Sequence, residues 1–213
     1  MPRPTKSKPE LGDARKRLIE AARALILRVG YAATTVEDVC AAADVTKGAF
    51  FHHFKTKETL GVAVAEDWTA CTASLFAAAA YHSVTDPCDR VLAYVALRKA
   101  LIQGTLPELT CLAGTLVQEI YQSSPAMRAA CAESILGHCG TLAPDMLAAL
   151  RRCGLEHTHS AASLARHTQA VIQGAFIMAK AANDPEVARE SIDHLEHYLR
   201  LLLSRPTIEG EST

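Results

Sequence analysis

Apolar residues recur every three or four positions along most of this chain, the spacing that places side chains on one face of an α-helix. In the first such segment, 13–29, Leu18, Ala22, Leu25 and Val29 share a face, and a glycine follows as a stop signal. No segment shows the alternation of apolar and polar residues that is typical of a half-buried β-strand. The pattern therefore predicts an all-α fold.

Capping residues and prolines mark where several helices begin. A capping residue is followed by proline at Asp86-Pro87, Ser124-Pro125 and Asp184-Pro185, and this pair is typical of an N-cap and the first helical position. The periodic segments predict helices at about 57–81, 87–103, 111–122, 125–152, 160–182 and 185–203. Gly137, Gly140 and Pro144 must kink or split the segment 125–152, since glycine and proline weaken a helix interior.

Two short helices lie between Thr34 and Glu58, each with its own N-cap. Thr35 opens the first, with an aspartate three residues later that is close to a capping box, and Thr46 opens the second. The link Ala43-Asp44-Val45 is too short for anything but a tight turn. Two helices joined in this way form a helix-turn-helix, whose second helix enters the major groove of DNA.

The residues of the second helix suit contact with DNA. Lys47 and Gly48 occupy the first turn, where a lysine can donate to guanine O6 and N7 and a glycine lets the backbone come close. Phe50 and Phe54 are four residues apart, and we assign them to the core. The next helix starts at Lys57, where a helix N-terminus and an ammonium together favour a phosphate. The predicted DNA-binding residues are Thr34, Thr35, Thr46, Lys47, Gly48, Phe51, His52, His53 and Lys57.

The block V-T-K-G-A-F-F-H-H-F-K-T-K-E, preceded by T-T-V-E-D-V, resembles the DNA-binding domain of TetR-type repressors. The resemblance covers about residues 13–60, and the rest of the chain shares only the helical layout. Asp44 stands where the family's turn usually carries glycine, although aspartate tolerates a left-handed conformation. Phe51 stands where tyrosine commonly donates its hydroxyl to a phosphate, so that contact is not expected here.

Charge is distributed unevenly along the chain. Residues 1–57 carry 11 Lys and Arg against 6 Asp and Glu, whereas residues 58–213 carry 11 against 17. A basic N-terminal part fits one end that meets the phosphate backbone. The expected organisation is a disordered basic arm at 1–12, a three-helix helix-turn-helix DNA-binding domain at 13–57, and a helical ligand-binding and dimerisation domain at 58–213.

Composition limits the other classes of function. The chain has 213 residues, 49% of them hydrophobic, but no apolar run long enough to span a bilayer and no signal peptide. Its seven cysteines include no C-x-x-C pair, so a disulfide framework is not expected. We predict a reduced, soluble, cytoplasmic protein without cofactor. No Gly-rich phosphate loop and no G-x-S-x-G motif is present, so no enzymatic activity is predicted.

The last two predicted helices carry an apolar stripe and several small residues. By resemblance to TetR-type proteins, which dimerise through their last two helices, this stripe is a homodimer interface that lets two recognition helices address a palindrome. The alternative is that the stripe covers the chain's own core. The predicted interface residues are Gly174, Met178, Ile192, Leu195, Leu199 and Leu202.

The resemblance also implies a small-molecule inducer that binds the C-terminal domain. We expect an uncharged apolar ligand that binds reversibly beside Trp68, Tyr94, Cys111 and Phe176. A second hypothesis is a thiol switch, since the segment from Leu109 to Gly114 resembles an electrophile-sensing subgroup and Cys111 lies at a helix start.

A third hypothesis is a metal-responsive repressor. It would use Cys153, His157 and His159 with Cys139 or His138, or the pair His194 and His197. None of these has the doubled C-x-x-C or the H-E-x-x-H spacing that makes a zinc prediction strong.

Overall fold

The computed structural model describes residues 11–204 of the chain, and the side chains from residue 14 onward. Every regular element in this part is a helix, so the all-α prediction is confirmed. Residues 1–10 of the predicted basic arm lie outside the described residues. Its last two residues already belong to the first helix, which begins at Leu11 instead of at residue 13.

In chain order the helices are α1 (Leu11–Val29), α2 (Val36–Ala43), α3 (Lys47–His53), α4 (Lys57–Ala77), α5 (Pro87–Ala100), α6 (Leu106–Leu109), α7 (Leu112–Ile120), α8 (Pro125–Ala132), α9 (His138–Arg152), α10 (Ala161–Ala182) and α11 (Glu186–Leu202). A single 3-10 turn follows α4 at Ala80–Ser83. The predicted segment 125–152 is divided by one wide helical turn at Glu133–Gly137, and Pro144 is accommodated inside α9. The short helix α6 was not predicted from the sequence.

The described helices form two compact units. Of the described residues, the first unit contains those up to Cys71 together with Leu112–Ser134, and the second contains Thr72–Cys111 together with those from Ile135 onward. The first unit is larger than the predicted segment 13–57, because α7 packs against α1 and α8 packs against α7.

The core of the first unit is built around α1 and the helix-turn-helix. Leu18 and Ala22 of α1 are completely buried, whereas Val29, predicted for the same face, is 50% exposed. Phe50 and Phe54 are buried, which confirms their assignment to the core. Their burial fixes which face of α3 points outward.

The core of the second unit is formed by α5, α9, α10 and α11, which pack against one another. Ile192, Leu195 and Leu199 are at most 3% exposed within the single chain and belong to this core. These three residues therefore cannot form the predicted dimer interface, and the alternative that the stripe covers the chain's own core is correct for them. Leu202 packs partly against the same core.

Candidate DNA-binding and ligand-binding sites

The start of α2 is fixed by a capping box. The Thr35 hydroxyl accepts a hydrogen bond from the Asp38 backbone N–H at 3.1 Å, and the Asp38 carboxylate accepts one from the Thr35 N–H at 3.1 Å. The hydrogen bonds from Thr35 hold the pKa of Asp38 below its ordinary value. The capping box satisfies two backbone N–H groups at this helix end with local partners, which favours a helix start at this point of the chain.

The turn between α2 and α3 depends on a left-handed residue. Asp44 has a φ of 51°, and its backbone N–H donates to the end of α2. Aspartate tolerates this conformation at lower cost than most residues, as the sequence indicated. Arg17 of α1 donates to the Ala43 carbonyl at 2.9 Å, and Thr46 then caps α3 by accepting from the Ala49 N–H at 3.2 Å. The turn is thus held on both sides.

The outward face of α3 presents Lys47, Gly48, Phe51 and His52. Phe51 is 55% exposed and lies edge-on to Phe50, with ring centroids 5.2 Å apart. Such a large exposed aromatic ring on a short helix fits apolar contact with a surface outside the chain.

Two residues of the predicted set are turned toward the protein instead. Thr34 is buried and its hydroxyl donates to the Gly30 carbonyl at 2.7 Å, so its side chain stabilises the turn after α1 and is not available to DNA. His53 is half-buried, and burial lowers the pKa of its imidazole.

Lys47 forms an ion pair with Glu37 of α2. Its hydrogen bond holds the pKa of the Glu37 carboxyl below the ordinary value. Both side chains are more than half exposed, so the pair is weak and can be exchanged for another partner. Glu37 therefore positions Lys47 at the surface without burying it.

Gly48 has no structural need inside the chain. A Cβ at this position would meet only the Thr46 hydroxyl, at 3.8 Å, and its φ is not in the left-handed region. A glycine at an exposed helical position normally lowers helix stability. The packing of the chain itself therefore gives no reason for glycine at this position.

Lys57 is tied to the turn after α1. Its ammonium donates to the Ala32 carbonyl at 3.2 Å and lies 4.3 Å from the centre of the Tyr31 ring, and burial lowers its pKa. The same turn is held by Glu119 of α7, which accepts from the backbone N–H groups of Tyr31 and Ala32 at 2.9 and 2.8 Å. This network anchors the start of the helix-turn-helix.

Lys55 is a candidate that the sequence analysis missed. It lies between α3 and α4, it is exposed, and it has no ion-pair partner among the described residues. The sequence places Lys55 directly after α3, but it does not distinguish Lys55 from Lys57 as a contact for DNA. The structure distinguishes them, because the ammonium of Lys57 already contacts the Ala32 carbonyl and the Tyr31 ring.

A buried polar cluster lies in the second unit around the hydroxyl of Tyr94. This hydroxyl accepts from Arg98 Nη1 and from Gln169 Nε2, and it contacts His138 Nε2, each at 2.9 Å. Tyr94, Arg98 and Gln169 are 1%, 9% and 4% exposed. We call these four residues the Arg98 cluster.

Aromatic rings surround the Arg98 cluster. The ring of Phe76 lies 5.3 Å from the Arg98 guanidinium carbon and 4.4 Å from the centre of the His138 ring. Burial, together with the positive charge of Arg98, lowers the pKa of His138 to about 4. Burial also raises the pKa of Tyr94, so both rings are neutral near pH 7.

The predicted ligand-binding residues are distributed over both units. Trp68 belongs to the first unit, whereas Tyr94, Cys111 and Phe176 belong to the second. Tyr94 and Phe176 are buried core residues, and Cys111 packs partly buried against the same core, directly before α7. Arg98 and Gln169 were not predicted from the sequence. A signal existed for Arg98, since it is four residues from Tyr94 and therefore on the same face of α5.

The cysteine and histidine residues proposed for a metal site are not brought together. Within residues 11–204 no group of three or more metal-binding side chains is close enough to hold an ion. Cys153 instead has its sulfur 3.5 Å from that of Cys88, and burial raises the pKa of Cys88 to about 12. His138 belongs to the Arg98 cluster.

Two family models match the chain. The model for "Bacterial regulatory proteins, tetR family" matches residues 18–64, which contain the helix-turn-helix. The model for the "Transcriptional regulator LmrA/YxaF-like, C-terminal domain" matches residues 87–194, just over half of the chain. The chain belongs to the TetR family. It is therefore a TetR-type transcriptional regulator with a DNA-binding domain, and the resemblance seen in the sequence is confirmed.

Curated TetR-type relatives include two repressors. The chain is 31% identical to the HTH-type transcriptional repressor DhaR of Mycobacterium sp. (strain GP1) over 114 residues, which are 54% of this chain and 56% of DhaR. It is 25% identical to the HTH-type transcriptional repressor NemR of Escherichia coli (strain K12) over 189 residues, which are 88% of this chain and 94% of NemR.

Solved structures share the TetR fold. The reduced form of E. coli NemR superimposes with a TM-score of 0.75 at 22% identity, covering 92% of this chain and all of that one. A TetR-family regulator from Agrobacterium tumefaciens superimposes with a TM-score of 0.76 at 18% identity, covering 89% of this chain and 98% of that one. Within the described part of the chain, no helix is both long and apolar enough to cross a membrane.

Proposed function

We propose that this TetR-type regulator is a repressor that binds a palindromic operator as a homodimer and releases it when a small molecule binds the second unit. The observation that carries the proposal is the outward face of α3. Caps at Thr35 and Thr46 and the buried rings of Phe50 and Phe54 hold α3 so that Lys47 and Gly48 point away from the core. Such a face suits the major groove.

Base and phosphate contacts divide between two lysines. Lys47, in the first turn of α3, can donate to guanine once it leaves Glu37. Lys55, exposed after α3, can contact the phosphate backbone and so position the helix without reading sequence. Thr35, Thr46, His52 and Phe51 would line the remaining contact surface. Lys57 supports this surface indirectly, through the turn after α1.

Exposed apolar side chains on α10 and α11 support the homodimer. Ile177 and Met178 are 47% and 58% exposed, and Tyr198 and Leu201 are 42% and 62% exposed. Gly174 lies one turn before Met178, and a small residue there lets another helix approach closely. Covering such side chains with a second copy removes apolar surface from water. Two-fold symmetry then presents two α3 helices to two half-sites.

A thiol switch at Cys111 is the second candidate function. Cys111 directly precedes α7, and it is only partly buried, so a small electrophile can reach it. The solved structure of the relative NemR is described as a reduced form. In this alternative, modification of Cys111 would replace reversible ligand binding as the signal.

The proposal is tested by selecting DNA from a randomised pool with the full-length protein. The selected sequences should contain an inverted repeat. Lys47→Ala should then weaken binding by about 1–3 kcal/mol and relax the preference at one base position of each half-site. Lys55→Ala should weaken binding to all sequences alike and lower the slope of log affinity against log salt by about one.

Lys99→Ala is the matched control, since Lys99 is paired with Asp193 in the second unit. It should leave DNA affinity unchanged. Failure to select any inverted repeat would contradict the palindromic operator. The same sequence profile for Lys47→Ala and Lys55→Ala would contradict the division between base and phosphate contacts.

A further inference from the structure

Arg98 carries a buried positive charge, and no described side chain places an opposite charge beside it. Its side chain donates one hydrogen bond, from Nη1 to the Tyr94 hydroxyl, and otherwise faces the rings of Phe76 and Tyr94. No carboxylate of residues 14–204 lies within ion-pair distance of it. A buried charge is normally paired, because removing it from water is costly.

The neighbours of Arg98 cannot supply the missing negative charge. The Tyr94 hydroxyl accepts from both Arg98 and Gln169, so its own proton points to His138 Nε2. This arrangement requires a neutral phenol and a neutral imidazole protonated on Nδ1, and burial favours both. The Arg98 cluster therefore keeps a net positive charge near pH 7.

The remaining donors of Arg98 are open to a ligand. A guanidinium has five N–H donors, of which Arg98 uses one within the described chain. Its other nitrogens keep some contact with solvent, although the residue as a whole is only 9% exposed. A group from outside can therefore approach them.

The chemistry of the Arg98 guanidinium indicates a ligand that carries a carboxylate. The planar fork of a guanidinium matches the two oxygens of a carboxylate. A single cation balances a monoanion, and a phosphate dianion would need a second one. The rings of Phe76, Tyr81 and Tyr94, whose neighbouring centroids are 5.5 to 6.0 Å apart, provide an apolar wall for the body of the ligand.

We infer that the inducer is a small organic carboxylate with an apolar body, held through its carboxylate by Arg98. This inference rests on the proposed function, and it replaces the uncharged ligand expected from the sequence. Arg98 binds the ligand directly. Tyr94 and Gln169 position the guanidinium, since the Tyr94 hydroxyl has no hydrogen-bonding capacity left for the ligand.

The test uses matched pairs of acids and amides at pH 7, from acetate to octanoate together with benzoate, each against its neutral amide. At least one carboxylate should raise the melting temperature of the wild-type protein and bind in calorimetry, and its amide should bind at least tenfold more weakly. The same carboxylate should release the selected DNA fragment in a fluorescence anisotropy assay.

Arg98→Met removes the charge and keeps much of the apolar stem. Because the unpaired charge is costly, this variant should fold at least as well as wild type without ligand, and its carboxylate affinity should fall at least tenfold. Arg90→Met is the matched control, since Arg90 lies on the same helix but is paired with Asp145 at 3.0 Å. It should keep the wild-type response to carboxylates.

Separate outcomes identify which idea fails. If no carboxylate stabilises the wild type, or if Arg98→Met binds carboxylates as tightly as wild type, the assignment of the ligand is overturned. Binding that depends on Arg98 but leaves the DNA complex intact would support the site and overturn the inducer role in the proposed function. If an amide binds the wild type and Arg98→Met equally and releases DNA, the carboxylate site at Arg98 is overturned. The proposed function as a ligand-released repressor is then supported.

Discussion

At the scale of single residues, Gly48 separates the needs of the fold from those of DNA binding. An added Cβ finds space there, so the fold gives no reason for glycine. Alanine has a higher helix propensity than glycine, mainly because glycine loses more backbone entropy on folding. The two effects of a methyl group, on stability and on DNA affinity, should therefore have opposite signs.

We predict that Gly48→Ala raises the free energy of unfolding by about 0.5–1 kcal/mol and weakens binding to the selected DNA. Gly140→Ala is the control, because Gly140 lies in α9 with nothing within 4 Å of an added Cβ. It should also stabilise the protein but leave DNA affinity unchanged. Chemical denaturation and anisotropy titration measure the two effects. Unchanged DNA affinity in Gly48→Ala would show that the backbone of α3 does not approach DNA closely.

His138 gives the second unit a dependence on pH. Its pKa is about 4 in the folded chain, against an ordinary value of 6.5. Between these values the unfolded chain binds a proton that the folded chain does not, so acid favours unfolding. The stability that depends on a neutral His138 is fully present above about pH 6.5, and the free energy of unfolding decreases as the pH falls toward 4.

We predict that His138→Gln reduces the loss of stability between pH 6.5 and pH 4, since glutamine can still accept from Tyr94 without binding a proton. Thermal melts at several pH values measure this difference. His157→Gln is the control, because the His157 side chain is 88% exposed. If His138→Gln lost as much stability as the wild type between pH 6.5 and pH 4, another group would be responsible for the sensitivity to acid.

At the scale of elements, α10 and α11 carry two different apolar faces. One face, with Ile192, Leu195 and Leu199, is filled by the chain's own core. The other, with Met178 and Leu201, is exposed. Spacing within a helix identifies both as apolar but does not say which one meets a neighbour, because that depends on how the helices pack.

We predict that the double variant Met178→Glu, Leu201→Glu yields folded monomers, because charges at an exposed interface oppose association but do not disturb the core. Leu195→Glu is the contrasting variant and should unfold the second unit, since it places an unpaired charge at a position that is 3% exposed. Sedimentation measures association, and circular dichroism measures folding. A double variant that still sediments as a dimer would place the interface on another surface.

At the scale of the whole molecule, the chain passes from the second unit into the first at the start of α7. This helix belongs to the first unit, where Glu119 holds the turn after α1, yet it begins directly after Cys111 of the second. The uneven charge along the chain, with an excess of positive charge before residue 58, fits DNA contact by the first unit.

The sequence by itself determined the helix-turn-helix and its family. The caps at Thr35 and Thr46, the left-handed Asp44 and the paired rings of Phe50 and Phe54 act within a few residues of the chain. Local hydrogen bonds and backbone sterics decide such features, so they can be predicted without knowing the fold. The starts of α5 and α8 were predictable for the same reason.

Only the tertiary structure decided the Arg98 cluster and the core of α11. The Tyr94 hydroxyl meets His138 and Gln169 across 44 and 75 positions of sequence, and no periodicity within one helix records such a contact. The helical period placed Leu195 on an apolar face of its helix, but only the packing of α5 and α10 against α11 showed that its own chain buries it. Likewise, only the structure showed that the Lys57 ammonium donates to the Ala32 carbonyl, 25 residues earlier in the chain. Local signals specify elements, whereas pairing between distant elements depends on how their side chains fill shared space.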